Sequence, residues 1–166
     1  MVRPVMFLKP VRYSIKKITY NHKISYKMSK TEPFIRNRMV WANLPVADVG
    51  RTRKFYESLG FKLNGAHKNG HLVSFFAGRD DFIMHFFRED MFEEASDGNA
   101  ADLSRGSEIM YTIGANSREE VDTWAEQVMN AGGSMFAEPA EMKNGWYGCG
   151  FADPDGHKWN VFYNGK

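Results

Sequence analysis

The same succession of elements occurs twice in this chain, and the repeat constrains the fold more than any other feature. In the first copy, an apolar run at residues 39–46 precedes a helical pattern that Asp48 begins and Gly60 ends. In the second copy, a run at 108–114 precedes a helix that begins with a Ser117/Glu120 capping box and ends at Gly132-Gly133. Three short strand-like runs follow each helix, at 61–64, 72–77 and 82–88 and at 134–137, 147–152 and 158–163.

The order in each copy is therefore strand-helix-strand-strand-strand. The helix of such a module covers only one face of its sheet, so two modules side by side can enclose a ligand. We predict an α+β fold in which paired βαβββ modules form a curved mixed sheet with a central cleft. The domain spans residues 39–166, with module one at 39–88, a linker at 89–107 and module two at 108–163. A short helix is expected within the linker, around Met91–Ala95.

The net charge of +2 is distributed unevenly along the chain. Residues 1–27 contain seven of the 22 Lys and Arg residues and none of the 20 acidic ones, so the rest carries a net charge of −5. Residues 1–38 are interpreted as a basic N-terminal extension that is disordered or precedes the native start. A transit peptide, a nucleic-acid arm and an edge hairpin are the alternatives. The acidic balance of the remainder argues against a nucleic-acid partner.

Cysteine content and hydropathy bear on where the protein works. The single Cys149 excludes a disulfide framework and a Cys-rich zinc site, and it favours a reducing compartment. No uncharged apolar run approaches bilayer length, which predicts no membrane partner. We therefore expect a cytoplasmic protein.

Several motifs of the two modules together carry a family resemblance. In chain order they are NLPVAD at 43–48, FYESLGF at 55–61, SREEVD at 117–122, AGG at 131–133 and FADPDGHKW at 151–159. They resemble the vicinal oxygen chelate superfamily, which includes glyoxalase I, extradiol dioxygenases and bleomycin-resistance proteins. The similarity is greatest to the group of predicted lactoylglutathione lyases, and it covers residues 39–163. The resemblance implies a homodimer in which two subunits can build the clefts together.

Metal enzymes of this superfamily place one ligand on the first and one on the last strand of each module. The resemblance carries these positions to Trp41, His85, Met110 and Asn160. A divalent ion needs at least three converging N or O donors, and Trp41 and Met110 supply none. We therefore predict no cofactor. The alternative is a two-residue slip on the first strands, which keeps side chains on the same face. It offers a divalent metal ion the set Asn43, His85, Glu108 and Asn160.

Strand alternation predicts a cleft with an aromatic lining and a few polar anchors, as in many small-molecule sites. The residues expected to bind the ligand are Trp41, Asn43, His85, Phe87, Met110, Thr112, Asn160 and Phe162. The predicted function is binding of a small, partly aromatic or apolar molecule without a tightly held metal. One alternative is a metal-dependent lyase or isomerase of the lactoylglutathione lyase type, with His85 as the best candidate catalytic residue. Another is a cleft filled by its own side chains.

Four further residues are given structural roles. Asp153, Asp155 and His157 lie in a segment with the composition of a turn, and we expect both acids to be solvated rather than to form a metal pair. Cys149 lies between two glycines in a strand and is expected to be a buried, unreactive thiol.

Overall fold

The computed structural model describes residues 39–67, 69–79, 82–107 and 109–165. The predictions for the extension at residues 1–38 and for Glu108 fall outside these ranges. Within them, no helix is long and apolar enough to cross a bilayer.

Both modules have the predicted order of elements. Module one contains β1 (Ala42–Val46), α1 (Val49–Ser58), β2 (Lys62–Ala66), β3 (Leu72–Ala77) and β4 (Phe82–Arg88). The linker begins with α2 (Glu89–Ser96), which contains the short helix expected there. Module two contains β5 (Met110–Gly114), α3 (Arg118–Ala131), β6 (Ser134–Glu141), β7 (Tyr147–Ala152) and β8 (Lys158–Tyr163).

The described strands form two four-stranded sheets with the same topology. Sheet one has the order β1-β4-β3-β2, and sheet two has the order β5-β8-β7-β6. In each sheet the first and last strands of the module pair in parallel and the other pairs are antiparallel. The predicted α+β class of paired βαβββ modules is confirmed, with the strands of each module in a mixed sheet of its own.

Local sequence explains where the two module helices begin and end. Asp48 accepts hydrogen bonds from the backbone N–H groups of Gly50 and Arg51, at 2.8 and 3.0 Å, which fixes the start of α1. Ser117 accepts one from the N–H of Glu120 at 3.2 Å, which fixes the start of α3. Gly132, with φ of +94°, ends α3 in a left-handed conformation that a residue with a Cβ rarely adopts.

Each helix covers one face of its own sheet, and the two covered faces meet in one apolar core. The ring of Tyr56 on α1 lies 4.5 Å from that of Phe86 in sheet one and 6.0 Å from that of Trp159 in sheet two. On α3, Trp124 stacks on Phe151 of sheet two. The modules therefore pack by their helix-covered sides. The opposite side of each sheet is the one that its module helix does not cover, and we call these sides open face one and open face two; α2 contacts β1 and β4 of sheet one.

The turn between β7 and β8 links the modules through polar contacts. Asp155 accepts hydrogen bonds from the backbone N–H of Ala47, at 2.9 Å, and from the side chains of Arg51, at 2.6 Å, and Thr52, at 3.2 Å. Asp153 is buried and accepts a hydrogen bond from the hydroxyl of Tyr56 at 2.7 Å. The expectation that both acids are solvated was wrong, because module one covers them and supplies their hydrogen-bond donors.

Candidate functional site

The predicted ligand-binding residues lie on the two open faces, four on each. Strand register places Asn43, His85 and Phe87 on open face one, with the ring of Trp41 6.2 Å from that of His85. It places Met110, Thr112, Asn160 and Phe162 on open face two. Because the modules pack by their other sides, the two groups are not brought together within one chain.

A polar row crosses open face one at right angles to the strands. Asn43 is the register partner of His85, and His85 is the partner of Ser74. The amide of Asn64 donates a hydrogen bond to the Ser74 hydroxyl at 3.0 Å and extends the row to β2. Sequence reasoning missed Ser74 and Asn64. The signal was present, since Ser74 is the one polar residue in Leu72-Val73-Ser74-Phe75-Phe76-Ala77 and is 4% exposed.

His85 lies at the centre of this row between two aromatic rings. The rings of Trp41 and Phe87 approach it edge-on, with centroids 6.2 and 6.0 Å away. Its Nδ1 atom is buried and has no hydrogen-bond partner. Burial, followed by the charge of His67, lowers the pKa of His85 below its usual value of 6.5. His85 is therefore a neutral imidazole at pH 7. It can donate or accept a hydrogen bond, or take up a proton from a bound molecule.

Asn160 takes the equivalent position on open face two. It pairs with Thr112 on one side and Gly150 on the other, as His85 pairs with Asn43 and Ser74. Its Oδ1 atom is also buried without a hydrogen-bond partner. In the described part of the chain, these are the two buried side-chain polar atoms that lack a partner, and the internal repeat relates them to each other.

Two aromatic side chains that the sequence analysis did not select lie against neighbours of Asn160 on open face two. The ring of Phe136 lies against Gly150, so close that a Cβ there would approach the ring to 2.4 Å. Lys158 places its ammonium group 4.9 Å from the centre of this ring. The ring of Trp146 lies 5.0 Å from that of Phe162. The signal for Phe136 was Gly150, because a strand glycine often marks a close approach by another group.

A separate cleft of about 720 Å³ lies between the modules. Its lining includes Phe61, Tyr111, Trp124 and Trp159, which belong to the apolar core or pack against it. Of the eight predicted ligand-binding residues, Thr112 alone is among the residues around this cleft. The cleft is therefore distinct from the two open faces.

The donors on open face one do not fit a divalent metal ion. Among the described residues, no three His, Cys, Asp or Glu side chains converge. The neighbours of His85 in the polar row are Asn43 and Ser74, which are neutral and weak donors. Asn160, which completes the alternative set with Glu108, lies on the other sheet. We therefore derive no chemical step through a metal.

The fold and the repeat define a scaffold of the vicinal-oxygen-chelate type, and comparison with known proteins agrees. Residues 38–161 match the model of the Glyoxalase/Bleomycin resistance protein/Dioxygenase superfamily. The chain belongs to this superfamily, and the resemblance deduced from the motifs is confirmed. A search of curated proteins found no match.

Solved structures give the same fold. A hypothetical protein from S. aureus is 31% identical, with a TM-score of 0.67, over 76% of this chain and 94% of that one. A glyoxalase-related enzyme from Fulvimarina pelagi is 21% identical, with a TM-score of 0.65, over 76% and 88% of the two chains. A lactoylglutathione lyase from Agrobacterium tumefaciens is 20% identical, with a TM-score of 0.57, over 75% and 92%. At 20–21% identity, the similarity to the last two structures establishes the fold and does not establish an activity.

Proposed function

We propose that this protein binds a small organic molecule on the open faces of its sheets, without a tightly held metal. The observation that carries the proposal is the pair of buried, unpartnered atoms, His85 Nδ1 and Asn160 Oδ1. Leaving a buried polar atom without a partner costs about 1–3 kcal/mol. A ligand that hydrogen-bonds to these atoms recovers that cost, so both positions favour binding over packing.

The surroundings of both atoms support an organic ligand over a hydrated ion. Trp41 and Phe87 border His85, and Phe162 is two residues from Asn160 on the same strand face. Aromatic walls around a few polar anchors are typical of small-molecule sites. The neutral imidazole of His85 can accept or donate a hydrogen bond there, which a protonated imidazole could not do in both directions.

The proposed assembly is a homodimer in which open face one of one subunit lies opposite open face two of its partner. This arrangement brings His85 and Asn160 to one cleft, which a single chain does not do. Large apolar side chains on these faces support it, since Trp41 is 48% exposed and Met110 is 52% exposed. A second copy would cover them.

The proposed location is the cytoplasm. The support is Cys149, which is buried and whose pKa burial raises to about 11. Such a thiol stays protonated and unreactive at neutral pH, as expected of a structural cysteine in a reducing compartment.

Tryptophan fluorescence gives a direct test, because the four tryptophans divide between the faces and the core. Trp41 and Trp146 lie by the two candidate sites, whereas Trp124 and Trp159 pack in the core. A small-molecule library is titrated into protein purified without chelators, with metal content measured on the same sample. We expect a library member to quench the fluorescence. Its affinity should fall about tenfold in His85→Ala and in Asn160→Ala, and it should not change in His71→Ala or Asn130→Ala.

Two results would contradict this function. One equivalent of nickel, zinc, manganese or iron that is lost in His85→Ala would favour the metal-dependent lyase or isomerase. If no library member quenches the fluorescence or raises the melting temperature, the protein binds none of these small molecules. A monomer by sedimentation would overturn the proposed assembly alone.

A further inference from the structure

Open face two carries a set of groups that narrows the class of ligand. The ring of Phe136 is 50% exposed and packs against the backbone of Gly150. Gly150 is the register partner of Asn160, so the ring lies next to Asn160, whose Oδ1 atom has no hydrogen-bond partner. A planar ring stacked on Phe136 would therefore present its edge to Asn160.

The charge on this face has one sign. Among the described strand residues of sheet two, register places Lys158 on the open face and places no acidic residue there. The two acidic residues of β6 lie towards α3 instead, since Glu141 pairs with Arg118 and Glu138 lines a groove with residues of that helix. The ammonium group of Lys158 lies over the Phe136 ring, 4.9 Å from its centre. A ligand ring that stacks on Phe136 displaces this group and keeps it in an ion pair if the ligand carries an anionic group.

Lys158 and Asn160 provide two polar anchors of different chemistry on this face. Lys158 and Asn160 are two residues apart on the same face of β8, which separates their Cα atoms by about 6.8 Å. Asn160 Oδ1 accepts a hydrogen bond, so the ligand needs a donor there, and Lys158 needs an acid group. A benzene ring with a hydroxyl and a carboxylate in para positions carries the donor and the acid group at opposite ends of one planar molecule.

We propose that open face two binds a planar aromatic carboxylate with a hydroxyl group para to the acid, stacked on Phe136 between Lys158 and Asn160. This inference rests on the proposed function, because it names the ligand class for one half of that site. The net charge of −5 on residues 28–166 does not decide the charge of the ligand, because the charged group beside this site is Lys158.

Calorimetric titration of the full chain with 4-hydroxybenzoate tests the inference, and three analogues each remove one feature. 4-Hydroxybenzamide removes the charge, 4-methoxybenzoate removes the donor, and trans-4-hydroxycyclohexanecarboxylate removes the aromatic ring. We expect each analogue to bind about tenfold more weakly than 4-hydroxybenzoate. When the side chain that recognises a feature is replaced, removing that feature from the ligand should no longer change the affinity. Lys158→Met should bind the amide and the acid equally, and Asn160→Ala should bind the hydroxy and methoxy compounds equally.

The covered side of sheet two offers a matched control. The guanidinium group of Arg118 lies 4.9 Å from the centre of the Tyr147 ring, the same distance as between Lys158 and Phe136. Phe136→Ala should weaken 4-hydroxybenzoate binding about tenfold, whereas Arg118→Met and Tyr147→Ala should leave it unchanged. Melting temperatures of all variants establish that they are folded.

The outcomes separate this inference from the function on which it rests. Equal affinity for all four compounds, or equal weakening by the Arg118 and Tyr147 variants, overturns the inference. So does failure of 4-hydroxybenzoate to bind while another library member quenches Trp146. If no member of the library binds at all, the proposed function fails as well.

Discussion

At the scale of single residues, the buried polar groups fall into two kinds. Tyr56, Asp153 and His157 are buried and have hydrogen-bond partners; the Nε2 of His157, for example, lies 2.8 Å from the carbonyl oxygen of Pro45. His85 and Asn160 each retain a buried atom with no partner. Since folding normally satisfies buried polar groups, the first kind stabilises the fold and the second kind marks a place for a ligand.

His85 should make the stability of the protein depend on pH. Its pKa is lowered in the folded state, so between 6.5 and that lowered value the unfolded chain binds more protons. The contribution of His85 is therefore fully present above pH 6.5 and is lost as the pH falls through this window. Urea unfolding of wild type and His85→Gln from pH 8 to pH 5 checks this. The stability of the wild type relative to His85→Gln should fall below pH 6.5, and a constant difference would refute the prediction.

The sequence predicts some residues of the candidate sites and not others, and the difference has a physical reason. His85 and Asn160 were found because the repeat aligns them, and strand alternation fixes the face on which they lie. Phe136 was not found because a β-bulge between Met135 and Ala137 shifts the register and turns its ring onto Gly150. Alternation fails at a bulge, and a single sequence does not mark its position.

At the scale of elements, β6 illustrates what propensity can and cannot predict. The strand was expected over Ser134–Ala137 but runs to Glu141, through Pro139. Proline lacks the N–H that a central strand must donate, but β6 lies at the edge of sheet two and pairs with β7 alone. Which strands are edges depends on the topology, so local sequence could not extend the prediction past the proline. The helix starts were predicted well because caps act within four residues.

The cap of α3 can be tested against another hydroxyl in the same helix. Ser117→Ala removes the acceptor for the N–H of Glu120 and should lower the free energy of unfolding by about 1 kcal/mol. Thr123→Ala removes an exposed hydroxyl bonded to the carbonyl of Glu119 and should cost nothing, because alanine favours the helix. Urea denaturation of both variants gives the comparison. Similar losses in the two would mean that the cap contributes no more than any hydroxyl of this helix.

At the scale of the whole molecule, polar contacts of the turn between β7 and β8 join the two modules beside their shared apolar core. Asp153 and Tyr56 are 97 residues apart, and their hydrogen bond joins the last strand pair of module two to α1 of module one. Trp159 adds an indole N–H that donates to the same Tyr56 hydroxyl, at 3.2 Å. Burial raises the pKa of Asp153 and of Tyr56. Nothing local in the turn indicates these partners, since the packing of the modules brings them together.

Asp155 provides the cleanest test of this connection, because its side chain is 6% exposed and its partners all belong to module one. Asp155→Ala leaves the N–H of Ala47 and the hydroxyl of Thr52 without this acceptor, and it should lower the free energy of unfolding by about 2 kcal/mol. Glu57→Ala is the matched control. It breaks a surface pair with Arg53 inside α1 and should cost less than about 0.5 kcal/mol.

Both variants are compared with wild type by urea denaturation followed through tryptophan fluorescence. The midpoint of Asp155→Ala should fall while its denaturant slope stays close to that of wild type, because both modules still unfold together around their shared core. A midpoint equal to that of Glu57→Ala would mean that the apolar core alone holds the modules together. In that case the turn would be a consequence of module packing and not one of its causes.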